Sequence, residues 1–125
     1  MSIVAFCIAM CGSLFAQQRV SSGKLVEFKN FNSKYVKPRD VNVWVPSDYS
    51  SDKKYSVLYM HDGQMLFDAA TTWNKQEWKV DEEMGKLLSD RKLSNCIVVA
   101  ISNVEKDRYY CLLYTSDAAD DRISV

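Results

Sequence analysis

Polar side chains follow directly after two apolar stretches of this sequence, where they could do chemistry. The sequence His-Asp-Gly-Gln at positions 61–64 comes right after an apolar run at residues 55–60, and Asn103 follows a second run at residues 96–101. Ligands of α/β proteins bind at the carboxyl ends of parallel strands. We therefore expect a pocket at these two strand ends. Its predicted border consists of His61, Asp62 and Asn103, and a structural role in its own loop is an equally open alternative for Asn103.

His61 is the single histidine of the chain and has two interpretations. It could bind a metal ion together with Asp62 or Asp68, or it could order its loop through hydrogen bonds, which is the commoner role for such a residue. No zinc-ligand spacing is present. We therefore predict neither a metal site nor a cofactor.

The charge balance argues against several kinds of partner. The chain has 125 residues, 16 basic and 16 acidic, and its net charge is zero. Nucleic acid and anionic membranes attract strongly basic proteins, so we expect neither as a partner. The length allows one small domain.

The N-terminus has the pattern of a secretion signal. Residues 3–15 are almost continuously apolar but too few to span a bilayer. Ala16 is a small residue at a plausible cleavage point. We predict a signal peptide at residues 1–16, a periplasmic or secreted location, and no membrane association after cleavage. A buried N-terminal helix or strand is the alternative, and a lipid anchor on Cys11 fits less well.

The four cysteines do not form a disulfide framework. Cys7 and Cys11 lie in the predicted signal, and Cys111 lies in a C-terminal tail considered below. Cys96 remains, inside an apolar stretch, where a lone cysteine usually serves packing.

The periodicity predicts four strands and one helix. Residues 24–30 and 39–45 alternate between apolar and polar, as half-buried strands do. Residues 55–60 and 96–101 are continuously apolar, which is typical of strands buried on both faces. The predicted fold is α/β: an antiparallel strand pair followed by a βαβ unit. Residues 19–23 are predicted to be a mobile lead-in.

The predicted helix lies between the two apolar strands. Asn74 and Glu77 have the spacing of a capping box, and Trp73 and Trp78 that of a hydrophobic staple, although the helix could also begin near Val80. The apolar residues of the helix recur at helical spacing and form one face. The first turn is acidic, and we expect it to be solvated. The face comprises Val80, Met84, Leu87 and Leu88, and the acidic turn comprises Asp81, Glu82 and Glu83.

Several segments together resemble one enzyme family. Residues 35–109 resemble the beginning of the putative esterase family of α/β hydrolases, which includes esterase D-like and enterochelin esterase-like enzymes. The turn at residues 61–64 is the strongest part of the match. The matching segments are residues 40–46, 55–68, 78–82 and 97–103, with Arg108.

This resemblance implies acyl transfer through a serine nucleophile, with an ester as the small-molecule substrate. Backbone N–H groups stabilise the oxyanion in such enzymes, and one of them lies in the loop after the third strand. That donor would be the N–H of Gln64, and Gly63 would allow the backbone to approach the substrate. The sequence departs from the commoner His-Gly-Gly turn in having Asp62 at the middle position.

The catalytic triad is missing from the sequence. No Gly-x-Ser-x-Gly motif occurs, and the family places nucleophile, acid and histidine after the segments found here. Residues 111–120 resemble a translated sequencing adapter. We therefore interpret residues 17–110 as the N-terminal portion of an esterase domain and residues 111–125 as non-native, and we expect this fragment to be inactive. The alternative function is a non-catalytic secreted module that binds carbohydrate through exposed aromatic residues.

Overall fold

The computed structural model of the chain describes residues 17–104. The predicted signal peptide at residues 1–16 and the predicted adapter-derived segment at residues 111–125 lie outside these residues. Arg108 and three of the four cysteines lie outside them too. Cys96 is buried, as predicted.

The sheet has the predicted α/β topology. The described elements are β1 (Lys24–Phe31), β2 (Arg39–Val45), β3 (Ser56–His61), α1 (Val80–Ser89) and β4 (Cys96–Ile101). The strands lie in the order β1-β2-β4-β3, with β1 and β2 antiparallel, β2 and β4 antiparallel, and β3 and β4 parallel. The helix α1 connects the two parallel strands. An antiparallel pair followed by a βαβ unit is therefore confirmed.

The helix begins at Val80, and the predicted capping box at Asn74 does not form. Lys79 precedes the helix in the left-handed conformation, with φ 55° and ψ 38°. The side chain of Asn74 instead accepts a hydrogen bond from the N–H of Gln76 at 3.2 Å, which makes a local turn. The later of the two predicted starts is thus the right one. Within residues 17–104, no helix has the length and apolar character needed to cross a membrane.

One face of the sheet packs against α1 and forms the core. Trp44 and Val98 pair in register on this face and are fully buried, with Val80 and Met84 of the helix in the same cluster. Leu87 is 37% exposed, so its predicted place on the buried helix face is wrong. The remaining buried apolar residues are Leu66, Phe67, Cys96 and Ala100.

The opposite face of the sheet carries apolar side chains that no described element covers. Side chains alternate between faces, so Val26, Val43, Val99 and Tyr59 form one row across the four strands on this outer face. Val26 is 47% exposed and Tyr59 69% exposed. A row of this composition in contact with water is unusual for a stable sheet.

Strand β3 lies at the edge of the sheet, so its predicted burial on both faces is wrong for residues 17–104. Val57 and Leu58 are each 42% exposed. The strand is hydrogen-bonded to β4 along one side, and no described strand pairs with its other side. An open, apolar edge is a template for pairing with another strand.

The open edge predicts that the 125-residue chain self-associates when it is expressed alone. Tyr59→Lys puts a charge in the middle of β3 and should increase the soluble, monomeric fraction, because charged edge strands resist pairing. Gln76→Lys adds the same charge at an exposed position outside the sheet. Size-exclusion chromatography measures the difference. A wild-type chain that is already monomeric and melts cooperatively would contradict the prediction.

Candidate functional site

The chain turns sharply where β3 ends, at Asp62 and Gly63. Asp62 adopts the left-handed conformation, with φ 55° and ψ 41°, which aspartate tolerates better than most residues. The N–H of Met65 then donates to the carbonyl of Asp62 at 2.8 Å and closes one turn of 3-10 helix, Gly63–Met65. A Cβ on Gly63 would lie 2.8 Å from the carbonyl carbon of Ala100. Only glycine therefore lets this turn rest on the backbone of β4.

Asn103 joins this turn to the end of β4 through two hydrogen bonds. Its side-chain Nδ2 donates to Oδ1 of Asp62 at 2.6 Å, and its backbone N–H donates to Oε1 of Gln64 at 3.2 Å. Asp62 is only 6% exposed. The structure thus brings Asp62, Gly63, Gln64 and Asn103 together, and we name these four residues the strand-end loop.

His61 lies beside the strand-end loop but on the outer face. It is the last residue of β3 and pairs in register with Ile101. Alternation places its side chain on the same side of the sheet as Val57 and Tyr59, where it is exposed. Asp62 and Gln64, and not His61, accept the hydrogen bonds that Asn103 donates to the loop. Among residues 17–104, no group of three or more His, Cys, Asp or Glu side chains is arranged to hold a metal ion.

The segment after the strand-end loop is anchored by two buried side chains. Leu66 is fully buried and Phe67 is 2% exposed. Further along, the chain returns to this segment and is hydrogen-bonded to it. The N–H of Trp78 donates to the carbonyl of Met65 at 3.0 Å, and the N–H of Val80 donates to the carbonyl of Leu66 at 3.1 Å. This return fixes the start of α1 beside the loop.

The two tryptophans of this segment are not a hydrophobic staple. Trp73 is 85% exposed and Trp78 is 52% exposed. A staple requires both side chains to pack together at a helix start, whereas α1 begins only at Val80. The predicted staple is therefore wrong, and both indole rings are exposed to solvent.

Asp68 is a buried carboxylate held by backbone donors. Its Oδ2 accepts from the N–H of Arg19 at 2.8 Å and its Oδ1 from the N–H of Ala70 at 2.9 Å. The hydrogen bond from Arg19 is the main cause that lowers the pKa of Asp68, and it outweighs the opposing effect of burial. The carboxylate therefore fastens the segment before β1 to the loop after β3.

Asp81 also fastens that segment, which no pattern in the sequence indicates. Asp81 is completely buried, and its Oδ2 accepts from the N–H and Oγ of Ser21, at 2.7 and 3.0 Å, and from the N–H of Ser22 at 3.3 Å. The predicted mobile lead-in at residues 19–23 and the predicted solvated role of Asp81 are both wrong. An aspartate in a first helical turn looks the same in sequence whether it faces water or a distant backbone.

Three carboxylate oxygens near the start of α1 are buried without a hydrogen-bond partner among the described residues. They belong to Glu77, Asp81 and Glu82. Burial raises the pKa of Glu77, and repulsion from Glu82 and Asp81 adds to the effect. The region thus carries an excess of negative charge that costs stability at neutral pH.

A cavity of about 500 Å³ lies at the opposite end of the sheet. Its lining includes Pro46 after β2 and Asn95 before β4, so it opens at the amino ends of the parallel strands. Ligands of open α/β sheets bind at the carboxyl ends. For this reason we place the candidate site at the strand-end loop and not in this cavity.

The fold and the strand-end loop define part of an α/β-hydrolase esterase domain: a mixed four-stranded sheet with one helix and a loop at the carboxyl end of β3. The model of the family described as Putative esterase matches residues 33–121, more than two thirds of the chain. The chain belongs to this family. A comparison with curated proteins gave no match.

Gly63→Ala should destabilise the fold by about 1–3 kcal/mol, as overpacking against a rigid neighbour usually does. The added Cβ would meet backbone atoms of Ala100 and Ile101, which cannot move aside without distorting β4. Lys86→Ala is the comparison, because it lies at an exposed position of α1 and adds no atom to a packed contact. Urea unfolding measures both. Equal losses would show that Gly63 is not confined by β4.

Glu77→Gln should stabilise the protein at neutral pH. The folded pKa of Glu77 lies above its ordinary value of 4.5, so the charged form is disfavoured in the fold, and this cost is present above the folded pKa and vanishes as pH falls below 4.5. The gain should therefore be seen in thermal melts at pH 7 and disappear at pH 4. Glu83→Gln, at an exposed position in the first turn of α1, is the control. A gain that persists unchanged at pH 4 would refute the electrostatic cause.

Proposed function

We propose that the chain is the N-terminal portion of an exported serine carboxylic-ester hydrolase that acts by acyl transfer. The observation that carries the proposal is the strand-end loop, in which Gly63 and Gln64 follow a parallel strand of an esterase-family domain and rest on the end of the neighbouring strand. The substrate class is a small-molecule ester.

In this proposal the strand-end loop supplies one wall of an oxyanion hole. The first hydrogen bond of the 3-10 turn comes from the N–H of Met65. The N–H groups of Gly63 and Gln64 precede it, so the turn itself provides them with no acceptor. Such amides can donate to a developing negative charge. The proposed donor is the N–H of Gln64, with Gly63 as the residue that allows close approach.

Asp62, His61 and Asn103 border the proposed pocket in different ways. Asp62 is nearly buried and bonded to Asn103, so both hold the shape of the loop rather than contact a substrate. His61 is exposed at the end of β3 and is the residue of the three with access to a ligand. None of them takes the role of a triad member, because the family places its triad after this region.

The nucleophile, the acid and the general-base histidine are proposed to lie on polypeptide that follows residue 110 in the parent protein. The fragment itself is then inactive. The matched range extends to residue 121, past the point where the adapter-like sequence begins, so the origin of residues 111–125 stays a prediction. Reading the source DNA across codons 105–125 decides it. The proposed export rests on the apolar residues 3–15 and Ala16.

The exposed tryptophans favour a second candidate function, binding of carbohydrate. Trp73 presents almost its whole indole ring to solvent, and flat aromatic surfaces of this kind stack on sugar rings. Membership in an esterase family supports the hydrolase over a non-catalytic module. The two can be separated by measuring whether the complete protein turns over an ester or only binds polysaccharide.

The complete parent protein should hydrolyse a short-chain nitrophenyl ester, and Gln64→Pro should lower its kcat by about 100- to 1000-fold, the usual cost of one lost oxyanion donor. Proline removes the N–H of residue 64 and is tolerated in a first helical turn. Gln64→Ala keeps that N–H and removes only the side chain that accepts from Asn103.

Gln64→Ala should lose clearly less activity than Gln64→Pro, because it keeps the donor N–H and loses only the hydrogen bond from Asn103. If both variants lose the same activity, the backbone donor at residue 64 is not the source of catalysis. If the wild-type parent shows no esterase activity at all, the proposed function is wrong.

A further inference from the structure

The segment before β1 is hydrogen-bonded both to the strand-end loop and to α1. We infer that this segment positions the loop for catalysis. We name residues 18–22 the N-terminal strap. The inference rests on the proposed function, since it assigns Gln18 as a positioning residue for the proposed oxyanion donor at Gln64. Gln18 touches no reacting atom in this scheme.

The carboxamide of Gln18 connects three parts of the chain. Its Nε2 donates to the carbonyl of Gln64 at 3.4 Å and to Oγ1 of Thr71 at 3.1 Å, and its Oε1 accepts from Nδ2 of Asn42 at 2.7 Å. The N–H of Gln18 also donates to Oε1 of Glu27 at 3.1 Å. A side chain with this many partners has a single orientation.

The rest of the strap is held by two buried carboxylates. Asp68 accepts from the N–H of Arg19, and Asp81 accepts from Ser21 and Ser22. These acceptors are 8% and 0% exposed. Hydrogen bonds to charged acceptors contribute more than those between neutral groups, so the strap is fixed along its length and can transmit a constraint to Gln18.

Other residues also accommodate the passage of the strap. A Cβ on Gly85 would collide with Oγ of Ser22, although glycine is a poor residue for the interior of a helix. The indole Nε1 of Trp44 donates to the carbonyl of Ser22 at 2.7 Å. Gly23, with φ 74°, then turns the chain into β1.

Gln64 is thereby held from two sides. The strap binds its carbonyl through Gln18, and the end of β4 binds its side chain through the N–H of Asn103. Removal of one side leaves the residue free to rotate about the other. A displacement of about 1 Å at a catalytic group can cost roughly 100-fold in rate, so the strap matters for the reaction even though it lies outside the pocket.

The test uses the complete parent protein with Gln18→Ala, Gln18→Glu and Gln17→Ala. Gln18→Glu keeps an oxygen for Asn42 but puts a second oxygen against the carbonyl of Gln64. Gln17 is the exposed neighbour and serves as the control. We expect both Gln18 variants to lose about 10- to 100-fold in kcat with KM changed less than about twofold, because the donor and not the binding surface is displaced. Gln17→Ala should match the wild type.

Hydrogen exchange at the amide of Met65, whose N–H donates to the carbonyl of Asp62 and closes the turn, provides a readout that needs no activity. Exchange should be faster in both Gln18 variants and unchanged in Gln17→Ala. Unchanged exchange in folded Gln18→Ala, or a kcat equal to that of Gln17→Ala, would overturn the inference. A wild-type protein with no esterase activity would refute the proposed function. It would leave the structural link between Gln18 and the loop to be judged by the exchange comparison, which needs no activity.

Thr71→Ala covers the case in which Gln18→Ala fails to fold. It removes one of the acceptors of Gln18 from an exposed position and leaves the strap in place. A smaller loss of kcat in the same direction, with faster exchange at the amide of Met65, supports the positioning role. Wild-type values for both kcat and exchange would count against it.

Discussion

The contact between Gly63 and the backbone of β4 determines how the rest of this region is arranged. A side chain at this position would lie 2.8 Å from the carbonyl carbon of Ala100, so the chain can cross the end of β4 only because glycine is there. The left-handed conformation of Asp62 supplies the change of direction. Leu66 and Phe67 then enter the core directly behind the turn, and the position of α1 follows from their burial.

The strands could be predicted from the sequence because their residue patterns are local, whereas the start of the helix could not. The alternation in β1 and β2 and the apolar run of β4 reflect contacts within the sheet, and the strands formed where expected. The capping box at Asn74 failed because the chain returns to residues 65 and 66 before the helix begins. That pairing brings together residues more than ten positions apart, and no helix signal encodes it.

The candidate site also has one part that could be predicted from the sequence and one part that could not. Position 61–64 was predicted from its place after an apolar run, and the structure brings Asn103 to it because parallel strands end at one edge of a sheet. The strap could not be predicted. Gln18 lies 46 residues from Gln64 in the chain, and the carboxylate of Asp81 is separated from Ser21 by 60 residues. Polar residues that bond only after folding resemble solvent-exposed ones in the sequence.

The open edge and the candidate site lie next to each other, and this adjacency has a physical consequence. Strand β3 has an unpaired side within residues 17–104, and its carboxyl end is the start of the strand-end loop. A further strand that paired with this edge in the parallel direction would also end beside Gly63 and Gln64. A group carried on the turn after that strand would lie close to Gln64. Completing the sheet and completing the site would therefore be a single structural event, and covering the exposed residues Val57 and Tyr59 would provide much of its driving force.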